Sequence, residues 1–350
     1  MTEAGALSSF TLGLILLGAM VLVALAAYNT WTSRRNTPRR AETAAAPPVE
    51  PRQEPTLDGE RQEPVFDVTA PLPLPEKKPG LDALIDVLAP IALEGPVSGE
   101  AALAAMPPTR RAGSKPFAIE GLNARSQQWE TPHPGERYAA FQAGVQLANR
   151  IGALNEIEYS EFVIKAQSFA DAVNGTPDFP EMLDEVARAR ELDQFASGHD
   201  AQLSFTLRAR QAAWSPGYVQ QHASRLGFVA GALPGRMVLP SATPGAPPLL
   251  GLSFDTQAAL ADDPEQAALR QLDLSLDVPQ VDRREQPFAR MRDAADALAG
   301  AMDGVVTDDN GQPIQPQALD VIGADLEQLY DTLDSRDLAA GSPLARRLFS

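Results

Sequence analysis

No charged side chain occurs between Glu3 and Arg34, and within that interval Phe10 to Tyr28 reads FTLGLILLGAMVLVALAAY, almost wholly apolar. About 20 such residues suffice for a helix to cross a bilayer. Residues 11–31 are therefore expected to form one transmembrane helix. A cleaved signal peptide is the alternative, but it requires basic residues ahead of its apolar core, and the only ionisable side chain there is Glu3. Arg34, Arg35, Arg39 and Arg40 follow at once, and clusters of this kind stay on the cytoplasmic side. The expected topology is single-pass, with residues 1–10 outside and the chain from about residue 34 onward inside.

The rest of the chain is acidic. The whole carries 29 basic and 46 acidic side chains, net −17. Setting aside Glu3 and the four juxtamembrane arginines leaves 25 basic against 45 acidic residues, a balance of −20 over positions 41–350. A body of that charge is repelled by nucleic acid and anionic lipid, so neither is expected to bind it, and the arginine cluster reads as a topology signal. The chain has no cysteine, which removes disulfides, thiolate metal sites and thiol nucleophiles. Its three histidines, His133, His199 and His222, are too scattered to suggest a metal cage or a catalytic relay. No catalytic group, metal site, cofactor or small-molecule substrate is expected.

Residues 32–80 combine the basic flank with a proline roughly every fourth or fifth position and few large apolar side chains. Such a composition cannot bury enough surface to offset ordering entropy and is expected to act as an extended tether. Val65, Phe66 and Val68 are its only candidate docking motif.

Beyond Gly80 one pattern recurs. In the later copy AQLSFTL (201–207) alternates strictly and predicts a strand, Ser215-Pro216 opens a helix that ends at Gly227, and 228–239 and 249–255 predict strands, the first broken by a Pro-Gly turn. LRQLDLSLDV (269–278) is the clearest strand. Phe288, Met291, Ala295, Leu298 and Met302 share one face of a helix over 287–302, which Asp303-Gly304 stops. A short hairpin over 305–314 and a helix opened by Gln315-Pro316 complete the unit. Upstream, strands over 84–93, 115–122 and 141–148, a short helix over 98–106, a helix over 156–173 stopped by Asn174-Gly175 and another over about 180–195 give the same order. The expected fold is α+β in two tandem units, 81–196 and 199–335, each an antiparallel sheet covered on one face by helices in a split β-α-β, ferredoxin-like order, with 336–350 as a tail.

The segment ALAGAMDGVVTDDNGQPIQPQALDVIGADLEQLYDTL, within Phe288 to Leu333, resembles the C-terminal domain of the bacterial division protein family ZipA, in which a helix ends in a Gly-Gly-Val-Val-like step, an Asp-Asp turn follows and a Pro-initiated helix closes the fold. The resemblance extends over Asp200 to about Ser335, and the plan of membrane helix, basic flank, proline-rich tether and cytoplasmic domain is similar too. It implies an inner-membrane anchor of the division ring, whose open sheet face receives the C-terminal tail of FtsZ as an amphipathic helix. A membrane-tethered adaptor for another cytoplasmic protein is the alternative. Matching the family's sheet positions implies a partner face made of Gln202, Ser204 and Thr206 on the first strand, Leu233 on the second, Asp255 on the third and Ser275 on the fourth. Alternation agrees in part: Leu203, Phe205, Leu207, Leu272, Leu274, Leu276 and Val278 must face the helices, which sends Gln202, Ser204, Thr206, Asp273, Ser275 and Asp277 outward. The family shows methionine, phenylalanine and branched aliphatics there, so this face departs toward polarity.

The remaining candidates reduce to local structure. Asp308-Asp309-Asn310-Gly311 lacks the ligand spacing and terminal Glu of a calcium loop and reads as a turn. Glu156, Glu158 and Glu161 sit where a helix start favours acids. His222 falls among apolar residues of its helix, and no glycine-rich phosphate loop is present.

Overall fold

The computed structural model describes Met20, Leu22, Leu25 and residues 37–41, 80–308 and 310–350. The expected membrane span lies outside the described residues except for those three, which are helical, and so does residues 42–79 of the proline-rich stretch. Among the described residues no helix is long and apolar enough to cross a membrane.

The chain folds as α+β, two antiparallel sheets each packed with helices. The first is built from β1 (Asp86–Ser98), β2 (Arg111–Ala112), β3 (Lys115–Asn123), β4 (Trp129–Glu130), β5 (Arg137–Gln146) and, after the small hairpin β6 (Ala148–Asn149) and β7 (Gly152–Ala153), β8 (Gly175–Pro177). Its order is β2-β3-β5-β1-β8, with β4 on β3. Ser98 caps the short helix α1 (Gly99–Ala105). The next helix, α2 (Glu156–Ala172), starts with a full capping box between Asn155 and Glu158 and ends where Asn174 turns left-handed at φ 53°. It lays Phe162, Ala166 and Phe169 on the sheet, where edge-to-face aromatic contacts join Phe117 to Phe162 and Phe141 to Phe169. Glu158 also accepts from Ser114 N at 2.8 Å and from Ser114 Oγ at 2.6 Å, pinning the β2–β3 turn.

Helix α3 (Met182–His199) carries the chain to the second sheet, with Leu192 packed against both cores. There β9 (Gln202–Ala209), β10 (Val229–Ala230), β11 (Arg236–Leu239), β12 (Leu250–Ser253), β13 (Gln271–Asp277) and β14 (Gly304–Thr307) lie in the order β10-β11-β12-β13-β9-β14. Four principal strands of each sheet follow one plan: β3-β5-β1-β8 in the first, β12-β13-β9-β14 in the second.

Alternation sets the second core. Phe205, Leu207, Leu272, Leu274, Leu276 and Val278 are buried and Leu203 is half-buried. They meet α4 (Pro216–Arg225), α6 (Pro287–Met302) and α7 (Pro316–Asp334), and Ala258 and Ala259 of the four-residue helix α5 (Thr256–Ala259) also pack against this core. The start of α6 combines Pro287 with a left-handed Gln286, and its end is the left-handed Asp303. The hairpin expected over 305–314 is reduced to β14 and a single bridge from Thr307 to Pro313.

Residues 336–350, expected as a tail, belong to the folded body. They form α8 (Pro343–Leu348), and Leu338, Ala345, Leu348 and Phe349 are buried in the second core together with Ile85 and Ala148 of the first unit. Sequence reasoning passed them over because their apolar residues follow neither helical nor strand period over a useful length. Polar groups fasten the seam. Arg347 Nη2 contacts Asp86 Oδ1 at 2.5 Å, and its Nη1 donates to Gly80 O at 3.0 Å. Gln146 Nε2 donates to Arg347 O at 2.8 Å, and Gln280 Nε2 to Phe349 O at 2.7 Å. Arg150 pairs with Asp200 at 2.6 Å and Asp277 at 2.7 Å.

Candidate functional site

Each sheet has helices on one face, so the other face is where a partner segment has room. On the second sheet one row crosses five strands in register: Val229, Val238, Gly251, Ser275 and Ser204. A Cβ on Gly251 would come within 2.7 Å of Ser275 Oγ, so the glycine leaves a notch beside the serine. The next row is Arg236, Ser253, Asp273, Thr206 and Thr307. Here Thr206 Oγ1 donates to Asp273 Oδ1 at 2.8 Å and Thr307 Oγ1 to Thr206 O at 3.1 Å. Arg208 and Arg236 are exposed on this side, at the end of the face away from Gln202.

Four of the six expected partner residues share this face. Ser204 and Ser275 are exposed directly opposite each other, and Thr206 is buried by its hydrogen bonds. Gln202 lies at the first-unit end, where its amide oxygen, turned toward Arg150, accepts from Nη2 at 3.0 Å and Nη1 at 3.2 Å. The other two lie off the strands. Leu233, 60% exposed, sits in the β10–β11 connection instead of on the second strand, because Pro234 and a left-handed Gly235 (φ 74°) bend the chain directly after it. Asp255 follows β12 and caps α5, accepting from Gln257 N at 2.8 Å. Both belong to the Arg236 end, since Phe254 N donates to Gly235 O at 2.9 Å. The apolar positions of the face are Val229 and Val238, which sequence reasoning missed, and Val305 beside Arg208. The signal of the first two was alternation with Phe228 and Met237, weak in strands this short.

The open face of the first sheet has a different character. Trp129, Leu122, Ala140, Ala92 and Thr176 form one row, Glu120, Gln142 and Pro90 the next, and Ala118, Gly144 and Leu88 the third. Leu81 lies over Gly144 so closely that a Cβ there would meet it at 2.5 Å. Glu120, nearly buried, accepts from Leu81 N at 3.0 Å and Gln142 Nε2 at 2.9 Å. This face mixes the small residues Ala92, Ala118, Ala140 and Gly144 with Leu88, Leu122, Glu120 and Gln142, and Leu81 lies across it.

Among the described residues no group of His, Asp or Glu is placed to hold a metal ion. The region just described continues into a stretch that matches a known family. Residues 260–324 match the family model of ZipA, C-terminal FtsZ-binding domain. Over those residues the second unit is similar to that family. The match runs from the end of α5 through β13, α6 and β14 into α7. ZipA is a non-enzymatic cell-division protein. No curated protein matches the chain.

Proposed function

We propose that this chain is an inner-membrane anchor of the division ring: residues 11–31 span the bilayer once, residues 32–80 tether the body in the cytoplasm, and the body binds the C-terminal tail of FtsZ. The observation that carries this reading is the ZipA match over residues 260–324, which covers β13 and β14, two of the second sheet's six strands, and the helix α6 between them. The docking surface is the open face of that sheet. Ser204 and Ser275 form its floor, Val229 and Val238 supply apolar contact at one edge, Gln202 and Thr206 bound it, and Leu233 and Asp255 lie at the far end. A floor this polar gives a single contact of about micromolar affinity or weaker. A filament presenting many tails converts that into firm attachment.

The common strand plan of the two sheets supports a tandem duplication of one split β-α-β unit. It also supplies a second reading of the docking site. The first sheet's open face carries Trp129, Leu122, Ala140, Ala92, Pro90 and Ala118, the apolar character an amphipathic helix requires.

Titrating a fluorescent FtsZ tail peptide into the full chain in nanodiscs, followed by anisotropy, tests both. Loss of saturable binding in Ser204→Glu/Ser275→Glu supports the second sheet, and loss in Ala92→Glu/Ala118→Glu supports the first. No saturable binding by the unsubstituted chain would sink the proposal.

A further inference from the structure

Residues 37–41 follow the expected span by only a few positions, yet they lie on the second unit. Arg39 N donates to Ala213 O at 2.7 Å, and Ser215 N donates to Arg39 O at 2.8 Å. These bonds make Arg39 a parallel partner of Trp214, whose other side is an antiparallel partner of Leu269 with N–H and C=O both bonded at 2.8 Å. Arg39, Trp214 and Leu269 thus form a row of single backbone bridges with Arg39 outermost, bonded as an extended peptide is when it adds to a strand. The arginine side chain is also held. Arg39 Nη2 pairs with Asp303 Oδ2 at 2.9 Å, at the C-terminal end of α6, where unpaired carbonyls favour a cation. The Trp214 indole, fully buried, donates to Met302 O at 2.8 Å and fixes that helix end beneath the arginine.

We infer that residues 37–41 are a strap that docks the cytoplasmic body against the membrane, so that the protein has a short-reach state and a long-reach state set by whether Arg39 is seated beside Trp214 and Asp303. The inference rests on the proposed membrane span. With the strap seated, residues 32–36 alone separate span from body, at most about 18 Å of extended chain. With it released, residues 32–79 intervene, and a flexible chain of that length has a root-mean-square reach of about 40 Å, or about 150 Å if extended as polyproline II. The occupant of the Trp214 edge is this chain's own arginine-bearing segment, and the seat accepts it through backbone bonds and one ion pair. Arg40, exposed and adjacent, supplies equal charge without entering the ladder.

The absence of cysteine makes the test direct. A single cysteine on the exposed face of α7, such as Gln328→Cys, carries a donor dye in the full chain, reconstituted in neutral-lipid nanodiscs with an acceptor lipid, without FtsZ. Arg39→Asp sets a carboxylate against Asp303 and the helix end. Hydrogen exchange over 213–216 is expected to quicken about tenfold or more, the scale of losing a charge-assisted pair with its ladder bonds, and transfer to the bilayer to fall, while Arg40→Asp changes neither. Unchanged exchange in Arg39→Asp overturns the inference, as does quickened exchange with transfer unaltered, since the strap would then not set the distance. Failure to enter nanodiscs would instead refute the span, and FtsZ binding plays no part in either readout.

Discussion

Arg347→Ala attacks the seam between the units at its most buried charge. Asp86 is fully buried and Arg347 is 19% exposed, so removing the guanidinium strands a carboxylate out of water. Breaking a buried pair costs about 3–5 kcal/mol. The partial exposure of Arg347, and the bond Asp86 Oδ2 keeps from Asp82 N at 2.8 Å, bring the expected loss to about 2–3 kcal/mol. That corresponds to a shift of about 30- to 150-fold in the unfolding equilibrium. Acid changes the outcome in a definite direction. Burial pushes the Asp86 carboxyl above its ordinary value, and the hydrogen bond and charge of Arg347 pull it back. A carboxyl raised in the folded state opposes folding when ionised, and the penalty fades as pH falls through the raised value toward the unfolded one. Without Arg347 the upward push is less opposed, so the gap between variant and parent is widest near neutral pH and narrows on acidification. Urea unfolding of the full chain in detergent, followed by circular dichroism at about pH 7.5 and about pH 5, measures the gap. A difference under about 0.5 kcal/mol at the higher pH, or a gap that widens on acidification, refutes the reasoning.

Fusions after residue 60 report topology: a fluorescent protein that matures only in the cytoplasm is expected to light up and alkaline phosphatase to stay inactive, and the reverse pattern would overturn the inside location. Phe349→Ala empties a buried site in the second core and should cost about 3–5 kcal/mol in the same urea experiment; a loss under about 1 kcal/mol would show that 336–350 is dispensable to that core. Leu233→Asp is expected to leave stability within about 0.5 kcal/mol, because the side chain is 60% exposed, and to weaken tail binding; unchanged binding would remove the β10–β11 turn from the docking surface.

What the sequence disclosed follows from where burial is one-sided. The strands β9 and β13 alternate because one face meets helices and the other does not, and that contrast located Phe205, Leu207, Leu272, Leu274 and Leu276 correctly. The bounds of α6 were legible because proline opens it and Asp303-Gly304 closes it. The first sheet's open face was illegible for the complementary reason: alanine, glycine and proline on one side of β1, β3 and β5 give little contrast with the apolar side. Leu233 was placed on a strand by position matching, although the Pro-Gly beside it already bends the chain. Arg39 read as a topology signal, because a basic residue after a membrane span has that role by default and nothing local announces its distant partners Trp214 and Asp303.

The place where the tether joins the body has a mechanical meaning. Gly80 and Leu81 are fastened by Arg347 and Glu120 just before β1 begins, and β1 lies between β5 and β8 inside the sheet. On the proposed reading, with the strap at Arg39 released, a filament pulling away from the membrane would draw on the tether and load this point. When the force runs along β1, its ladder bonds to both neighbours bear the load in shear and share it. A tether rooted in an edge strand and pulled sideways would peel its bonds one after another, which a root in β1 avoids.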